Sequence, residues 1–259
     1  MDKNSVRITS LANAGLLVQY RDVTLMVDAL QNETLYYAPL PERIFDEMLR
    51  GDGMFNKVDH VLYTHGHPDH FTAAMNCSWL ARHSAASLTV PKHFAADYPD
   101  FCRNAVRKCD DVWWLDLPPG GQGQKSLGDG VSLTAFRTPH MGGKRFADAV
   151  HYCFRLDLGG TGVLITADCE YDRESYGRMA AAGPADAVFI NPLFLHKDEG
   201  RAILSDILKP ARAFVYHMPF DGADPNGYRR MMARDVERYR ANLPPTVVLQ
   251  EAMRQVTIP

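Results

Sequence analysis

The chain has little that would mark a secreted, membrane-spanning or nucleic-acid-binding protein. Its 259 residues hold five cysteines, Cys77, Cys102, Cys109, Cys153 and Cys169. They are odd in number, scattered, and include no Cys-x-x-Cys pair, which argues against a disulfide frame or a zinc finger. They read as reduced thiols in a cytoplasmic protein. No apolar run approaches the roughly 20 residues a membrane helix needs. The opening stretch Met1 to Arg7 is polar, so no signal peptide is expected. There is no long basic run and the net charge is −3, which argues against nucleic acid or a membrane surface as partner. No Gly-x-Ser-x-Gly elbow is present, and Gly120-Gly121-Gln122-Gly123 lacks the Lys-Ser/Thr ending of a phosphate loop. No repeat of fixed period is visible. With 46% of residues apolar, the length allows one large domain or two small ones around a sizeable core.

What is present is a polar cluster, Tyr63-Thr64-His65-Gly66-His67-Pro68-Asp69-His70-Phe71. It follows the alternating, strand-like Val58 to Thr64, and Phe71-Thr72-Ala73-Ala74-Met75 with Trp79-Leu80-Ala81 reads as a helix. The cluster therefore sits in a strand-to-helix loop. In extended backbone His65 and His67 project to one side, because side-chain direction alternates with period two. They can chelate one ion together. Pro68 suits a helix entry, which places Asp69 and His70 at or beside the first helical turn, facing away from the first pair. A carboxylate is favoured at that end of a helix. Imidazole with carboxylate suits Zn, Fe or Mn better than Mg or Ca.

The rest of the chain alternates strand and helix signals. Val6 to Leu11, Leu16 to Tyr20 and Val23 to Asp28 read as a strand and a hairpin. Glu42 to Leu49 reads as an amphipathic helix, Ala86 to Pro91 as a strand, and Phe94 to Lys108 as a helix interrupted near Pro99. Val112 to Leu115, Val131 to Thr138, Val150 to Leu156, Val163 to Asp168, Ala185 to Pro192 and Ala211 to Tyr216 read as further strands. Helices are expected over Arg201 to Leu208 and Met231 to Asn242, with Thr246 to Leu249 as the last strand. Pro118 to Gly123 is rich in breakers and reads as a loop. Met141 to Arg145 reads as a flexible basic loop, and Lys144 with Arg145 would suit an anionic substrate group. His196 follows a strand in a loop and is a further candidate substrate contact. His60, His83, His93 and His151 read as structural or exposed.

His65-x-His67-x-Asp69-His70 resembles the signature of the metallo-β-lactamase-fold hydrolases, and the resemblance covers almost the whole chain. It implies an α+β fold, a four-layer αββα sandwich of two mixed β-sheets flanked by helices, forming one domain over 1–259. The family pattern carries over residue by residue. His140 matches the third histidine of the first ion, beside His65 and His67. His217 completes the second ion with Asp69 and His70. Asp168 matches the aspartate that bridges both, although Ala167 stands where many relatives have Gly. Asp28 matches the family aspartate beneath the metal loop and would orient ligands by hydrogen bonds. Asn13 stands where many relatives have His.

The resemblance thus implies two divalent transition-metal ions, zinc first, with Mn or Fe as alternatives. A hydroxide bridging them would cleave an ester, lactone or phosphodiester bond of a small anionic substrate, with Asp69 orienting the nucleophile. The compact length resembles the stand-alone, ascorbate-6-phosphate lactonase-like branch, which also includes phosphodiesterases. A diiron redox protein and a non-catalytic metal-binding protein of the same fold are the alternatives. A small-molecule partner is expected, and a homo-oligomer is left open.

Overall fold

The computed structural model describes residues 5–32, 34, 36–219 and 222–259. Chain contacts cluster in two compact units, Met1–Asp116 with Ala252–Thr257, and Leu117–Glu251 with Ile258–Pro259. Each is built on a mixed sheet of seven strands. This is the expected α+β class with two mixed sheets flanked by helices.

The first sheet begins with a meander, β1 (Val6–Ala12), β2 (Gly15–Tyr20) and β3 (Val23–Val27), paired antiparallel. Parallel strands β4 (His60–Leu62), β5 (Ala85–Pro91) and β6 (Cys109–Leu115) extend it from β3. Helices α1 (Glu42–Arg50), α2 (Ala73–Leu80), α3 (Phe94–Asp97) and α4 (Pro99–Lys108) connect these strands. The break between α3 and α4 falls at Tyr98, ahead of Pro99 as N1 of the second helix. That is where proline tolerates a missing N–H.

The second sheet repeats the plan. Strands β7 (Gln122–Gly128), β8 (Val131–Thr138), β9 (His151–Leu158) and β10 (Thr161–Ile165) form an antiparallel run. Strands β11 (Ala187–Ile190), β12 (Arg212–Val215) and β13 (Thr246–Val248) continue in parallel. Its helices are α5 (Arg173–Ala181), α6 (Pro192–His196), α7 (Asp198–Ala202), which runs on into a π-helical stretch Ile203–Leu208, and α8 (Tyr228–Tyr239). Leu164, Val188, Ile190 and Val215 on the sheet share one buried cluster with Tyr176 and Met179 of α5, Phe194 of α6 and Met232 of α8. Strand β11 is buried at all four positions, as expected for a central parallel strand covered on both faces.

Four expectations need correction. Strand β4 is only three residues long, shorter than the alternation of Val58 to Thr64 suggests. Gln122–Gly128 is a strand, although its first residues read as breaker-rich loop. It is the last strand of its sheet, where polar residues and glycine are tolerated. A fourteenth strand, β14 (Arg254–Ile258), lies beside β1 beyond the strand expected to be last. His196 ends a short helix instead of lying in a loop. No helix among the described residues is long and apolar enough to cross a membrane.

Candidate functional site

The motif loop leaves β4 at Leu62 and is pinned at once. The Tyr63 hydroxyl donates to Asn76 Oδ1 on α2 at 2.5 Å, and its ring meets Phe71 edge-on at 4.9 Å between centroids. Burial pushes the Tyr63 phenol far up, outweighing the hydrogen bond to Asn76, so it remains a donor. The loop then turns before the helix, not as part of it. Both His70 and Phe71 donate backbone N–H groups to the His67 carbonyl, and α2 starts only at Ala73. Asp69 and His70 thus occupy a separate tight turn just ahead of the helix, beside its first turn and not in it.

One carboxylate sets the chemistry of this loop. Asp28 follows β3 with φ of 48° and is fully buried. Its Oδ1 accepts from the Thr64 N–H at 2.9 Å, and its Oδ2 accepts from the Thr64 hydroxyl at 2.6 Å and from His70 Nδ1 at 2.8 Å. The Thr64 proton is committed to Asp28, so Thr64 Oγ1 accepts from His65 Nδ1 at 3.0 Å. Both histidines therefore hold their proton on Nδ1 and present an Nε2 lone pair, the arrangement in which a ligand histidine is oriented by a carboxylate or hydroxyl behind it. His65 Nε2 lies 3.1 Å from His67 Nδ1. Two ring nitrogens facing in this way hold a shared proton or a shared cation.

In the second unit the candidates come from three separate strand ends. His140 lies two residues past β8 and donates from Nδ1 to the Met141 carbonyl at 2.6 Å. Asp168 lies three residues past β10, and His217 two residues past β12. Asp168 Oδ2 is 3.5 Å from His140 Nε2, and its Oδ1 is 3.6 Å from His217 Nε2. Each carboxylate oxygen therefore faces a different histidine. With its Nδ1 proton given to a carbonyl, His140 turns Nε2 towards a carboxylate oxygen. Two acceptors facing each other in a largely buried setting repel unless a cation or proton lies between them. Imidazole and carboxylate donors of this kind fit a transition metal. Two of the second-unit positions sit in strained backbone. Ala167 has φ of 47° and His217 of 56°, a region that costs a non-glycine residue free energy and marks functional sites. Ala167 is thus held in a conformation that glycine adopts more easily.

Two residues that matter here carried no sequence signal. His151, read as structural or exposed, is buried and accepts the Asp168 N–H on Nε2 at 3.1 Å. Asn191 donates from Nδ2 to the Ala167 carbonyl at 3.1 Å while its Oδ1 accepts the Phe194 N–H at 3.0 Å. Only the pairing of Thr138 with His151 across β8 and β9, and of β10 with β11, brings them to this loop.

The remaining candidates are placed as follows. Lys144 and Arg145 are exposed in a 3-10 turn, Gly143–Phe146. The Arg145 guanidinium lies 5.0 Å over the Phe146 ring, and that ring lies 5.0 Å from His140. Gly142, at φ of 97°, allows this return, since a Cβ there would sit 2.7 Å from the Phe146 ring. His196 is occupied on Nδ1 by Asp235 Oδ2 of α8 at 2.6 Å.

Similar proteins agree with this picture at the level of the fold. The family model described as "Beta-lactamase superfamily domain" matches residues 27–223. No curated protein matches the sequence. CmlA, a diiron β-hydroxylase from Streptomyces venezuelae, is 17% identical with a TM-score of 0.64, and the match covers 99% of this chain and 54% of that one. This chain thus spans about half the length of CmlA. The isothiocyanate hydrolase from Delia radicum gut bacteria is 14% identical with a TM-score of 0.68, over 96% of this chain and 98% of that one. Zn(2+)-bound PqqB from Methylobacterium extorquens is also 14% identical, with a TM-score of 0.64 over 97% and 99% of the two chains. At these identities the likeness shows the fold, while the family model covers well over half the chain and includes all seven candidate ligands. The chain belongs to the beta-lactamase superfamily and has its metallo-β-lactamase fold.

Proposed function

We propose that this chain is a binuclear metal-dependent hydrolase acting on an ester, lactone or phosphodiester bond of a small anionic substrate, and that the two units work as one catalytic domain. The observation that carries the reading is Asp168, whose two oxygens face His140 and His217 separately, as a bridging carboxylate requires. His65, His67 and His140 with Asp168 would hold one ion, and Asp69, His70 and His217 the other, with Asp168 proposed to reach both. When bound, such ions lower the pKa of water and offset the negative charge of the transition state. Asp69 would accept a hydrogen bond from the attacking water and so aim it. Asp28 keeps His65 and His70 in the ligand tautomer throughout. Lys144 and Arg145, the latter stacked on Phe146 beside His140, would take the anionic group of the substrate. His196 would reach a substrate only through Nε2.

The reading favours zinc on ligand type, with Mn or Fe accepted by the same donors. The lactonase-like branch and phosphodiesterases define the first substrates to try. The five cysteines are free thiols, which suits the reducing conditions of the cytoplasm.

The test is metal content per chain in protein purified without chelator, for the wild type, His67→Ala and Asp168→Asn. About two transition-metal ions in the wild type are expected, with fewer in both variants, followed by turnover in a panel of lactones, phosphodiesters and thioesters. A metal-free wild type, or variants that load equally, would sink the ligand set. An iron chromophore with redox activity and no hydrolysis would instead favour the diiron reading that the likeness to CmlA suggests. Full loading with neither activity would favour a metal-binding protein without turnover.

A further inference from the structure

We propose that His151 is the positioning residue that fixes Asp168, through a closed hydrogen-bond circuit that starts and ends on the same loop. This rests on the reading of Asp168 as a metal ligand.

Asp168 has no regular secondary structure to hold it, since β10 ends at Ile165. Its peptide is held instead at three points. The Asp168 N–H goes to His151 Nε2 at 3.1 Å, the Asp168 carbonyl accepts from the Met141 N–H at 2.7 Å, and the Ala167 carbonyl accepts from Asn191 Nδ2 at 3.1 Å. The His151 contact is itself oriented by a side-chain network. Because Nε2 accepts, the ring proton is on Nδ1, which donates to Thr138 Oγ1 at 2.8 Å. Thr138 Oγ1 in turn lies 3.6 Å from Cys153 Sγ, and the Cys153 thiol donates to the Thr166 carbonyl at 3.3 Å. With Cys153 committed as donor to Thr166, the Thr138 hydroxyl donates to Cys153 Sγ. The chain of donors runs from Asp168 N–H through His151, Thr138 and Cys153 to the carbonyl of Thr166. It spans the Ala167 residue held at positive φ. His151, Thr138, Cys153 and Thr166 are buried, so along this part of the circuit water cannot substitute for a missing partner without a cost. Burial pushes the Cys153 thiol well up, with the neighbouring Cys169 thiol adding to it, so the thiol keeps the proton that the circuit needs.

The same geometry explains why His151 is not itself a ligand. Its ring stands edge-on to His140, 5.5 Å between centroids at 88°, yet both of its nitrogens are already used. It acts on the site only through the backbone of Asp168.

Two substitutions of similar polarity separate this from a packing role. In His151→Gln the side-chain Oε1 can stand where Nε2 does and accept the Asp168 N–H. In His151→Asn the shorter amide matches Nδ1, keeps Thr138 and cannot reach Asp168. Zinc affinity is measured by competition with a chromophoric chelator, and the melting of the metal-free proteins is recorded in parallel. His151→Asn is expected to weaken zinc binding about 10- to 100-fold, while His151→Gln stays within a few-fold of wild type at a similar metal-free melting temperature. Equal weakening in both variants, or wild-type affinity in His151→Asn, overturns the proposal. Asp168→Asn run alongside keeps the two readings apart. If it loses zinc while His151→Asn does not, only the positioning role fails. If Asp168→Asn binds like wild type, the ligand assignment fails and takes this inference with it.

Discussion

The two sheets share one topology and use it in opposite ways. In the first, an antiparallel meander ends at β3, an aspartate in the left-handed region follows, and a parallel strand β4 lies beside it. In the second, the run ends at β10, Ala167 takes the left-handed conformation ahead of Asp168, and parallel β11 lies beside it. In the first unit the residue after the meander does the holding. Asp28 grips Thr64 and His70 of the next crossover. In the second unit the residue after the meander is held. Asn191, just past β11, grips Ala167, and Asp168 is left to face His140 and His217. The loop that follows the meander thus carries a supporting carboxylate in one half and a candidate ligand in the other. In both, functional groups lie beyond the carboxyl ends of strands, most of them parallel, where open mixed sheets leave room for ligands.

The contrast can be broken in order of effect. Asp28→Ala removes a buried charged acceptor and strands the Thr64 N–H, so urea unfolding should show a loss of about 3 kcal/mol or more. Next comes the metal itself. Zinc at about 100 times its Kd should stabilise the protein by about 2.7 kcal/mol, seen as a rise in Tm that a chelator reverses. His67→Ala and His217→Ala should both blunt that rise, and a rise unaffected by one of them would confine binding to the other half. Asn191→Ala loses a neutral clamp and the N-cap of α6, for which about 1–2 kcal/mol is expected. An effect equal to that of Asp28→Ala would erase the distinction between charged and neutral support.

The smallest effect concerns Asp172, whose carboxylate caps α5 by accepting from the Glu174 and Ser175 N–H groups and the Ser175 hydroxyl. Among first-unit helices, α1, α2 and α4 have no side-chain cap. Burial pushes the Asp172 carboxyl up, but the Ser175 and Glu174 hydrogen bonds and the Arg178 charge outweigh it and hold it below its usual value. Asp172→Ala should cost about 1 kcal/mol. A depressed carboxyl contributes fully above its unfolded pKa of about 3.9 and loses that contribution as pH falls through the lower folded value. The variant and wild type should therefore differ in unfolding midpoint at pH 7 and converge in strong acid.

The first half of the site was legible because its chemistry is contiguous. His65, His67, Asp69 and His70 lie within six positions, and no packing role accounts for so many polar groups together. His140, Asp168 and His217 each stand alone in the sequence, and only the order of a known family singles them out. His151 and Asn191 were beyond reach for a different reason. A histidine opening a strand and an asparagine closing one have ordinary structural uses, and their role depends on which strands become neighbours. The misjudged elements follow the same logic. Strand β7 is polar because it lies at a sheet edge, so it lacks the alternation that marks a half-buried strand. Pro68 pointed to a helix entry, yet the same fixed φ serves the tight turn closed on the His67 carbonyl.

Strand β14 follows the second unit in sequence but lies beside β1 in the first sheet. The Met253 N–H bonds the Ser10 carbonyl at 2.7 Å, and Gln255 meets Thr9 across a separation of 246 positions. During synthesis the first unit leaves the ribosome with the β1 edge open, a row of unpaired amides and carbonyls that other chains can join. It stays open until residues 254–258 emerge. The half that carries the most legible part of the site is therefore translated first and sealed last, and a nascent chain stalled before that point would expose an adhesive edge.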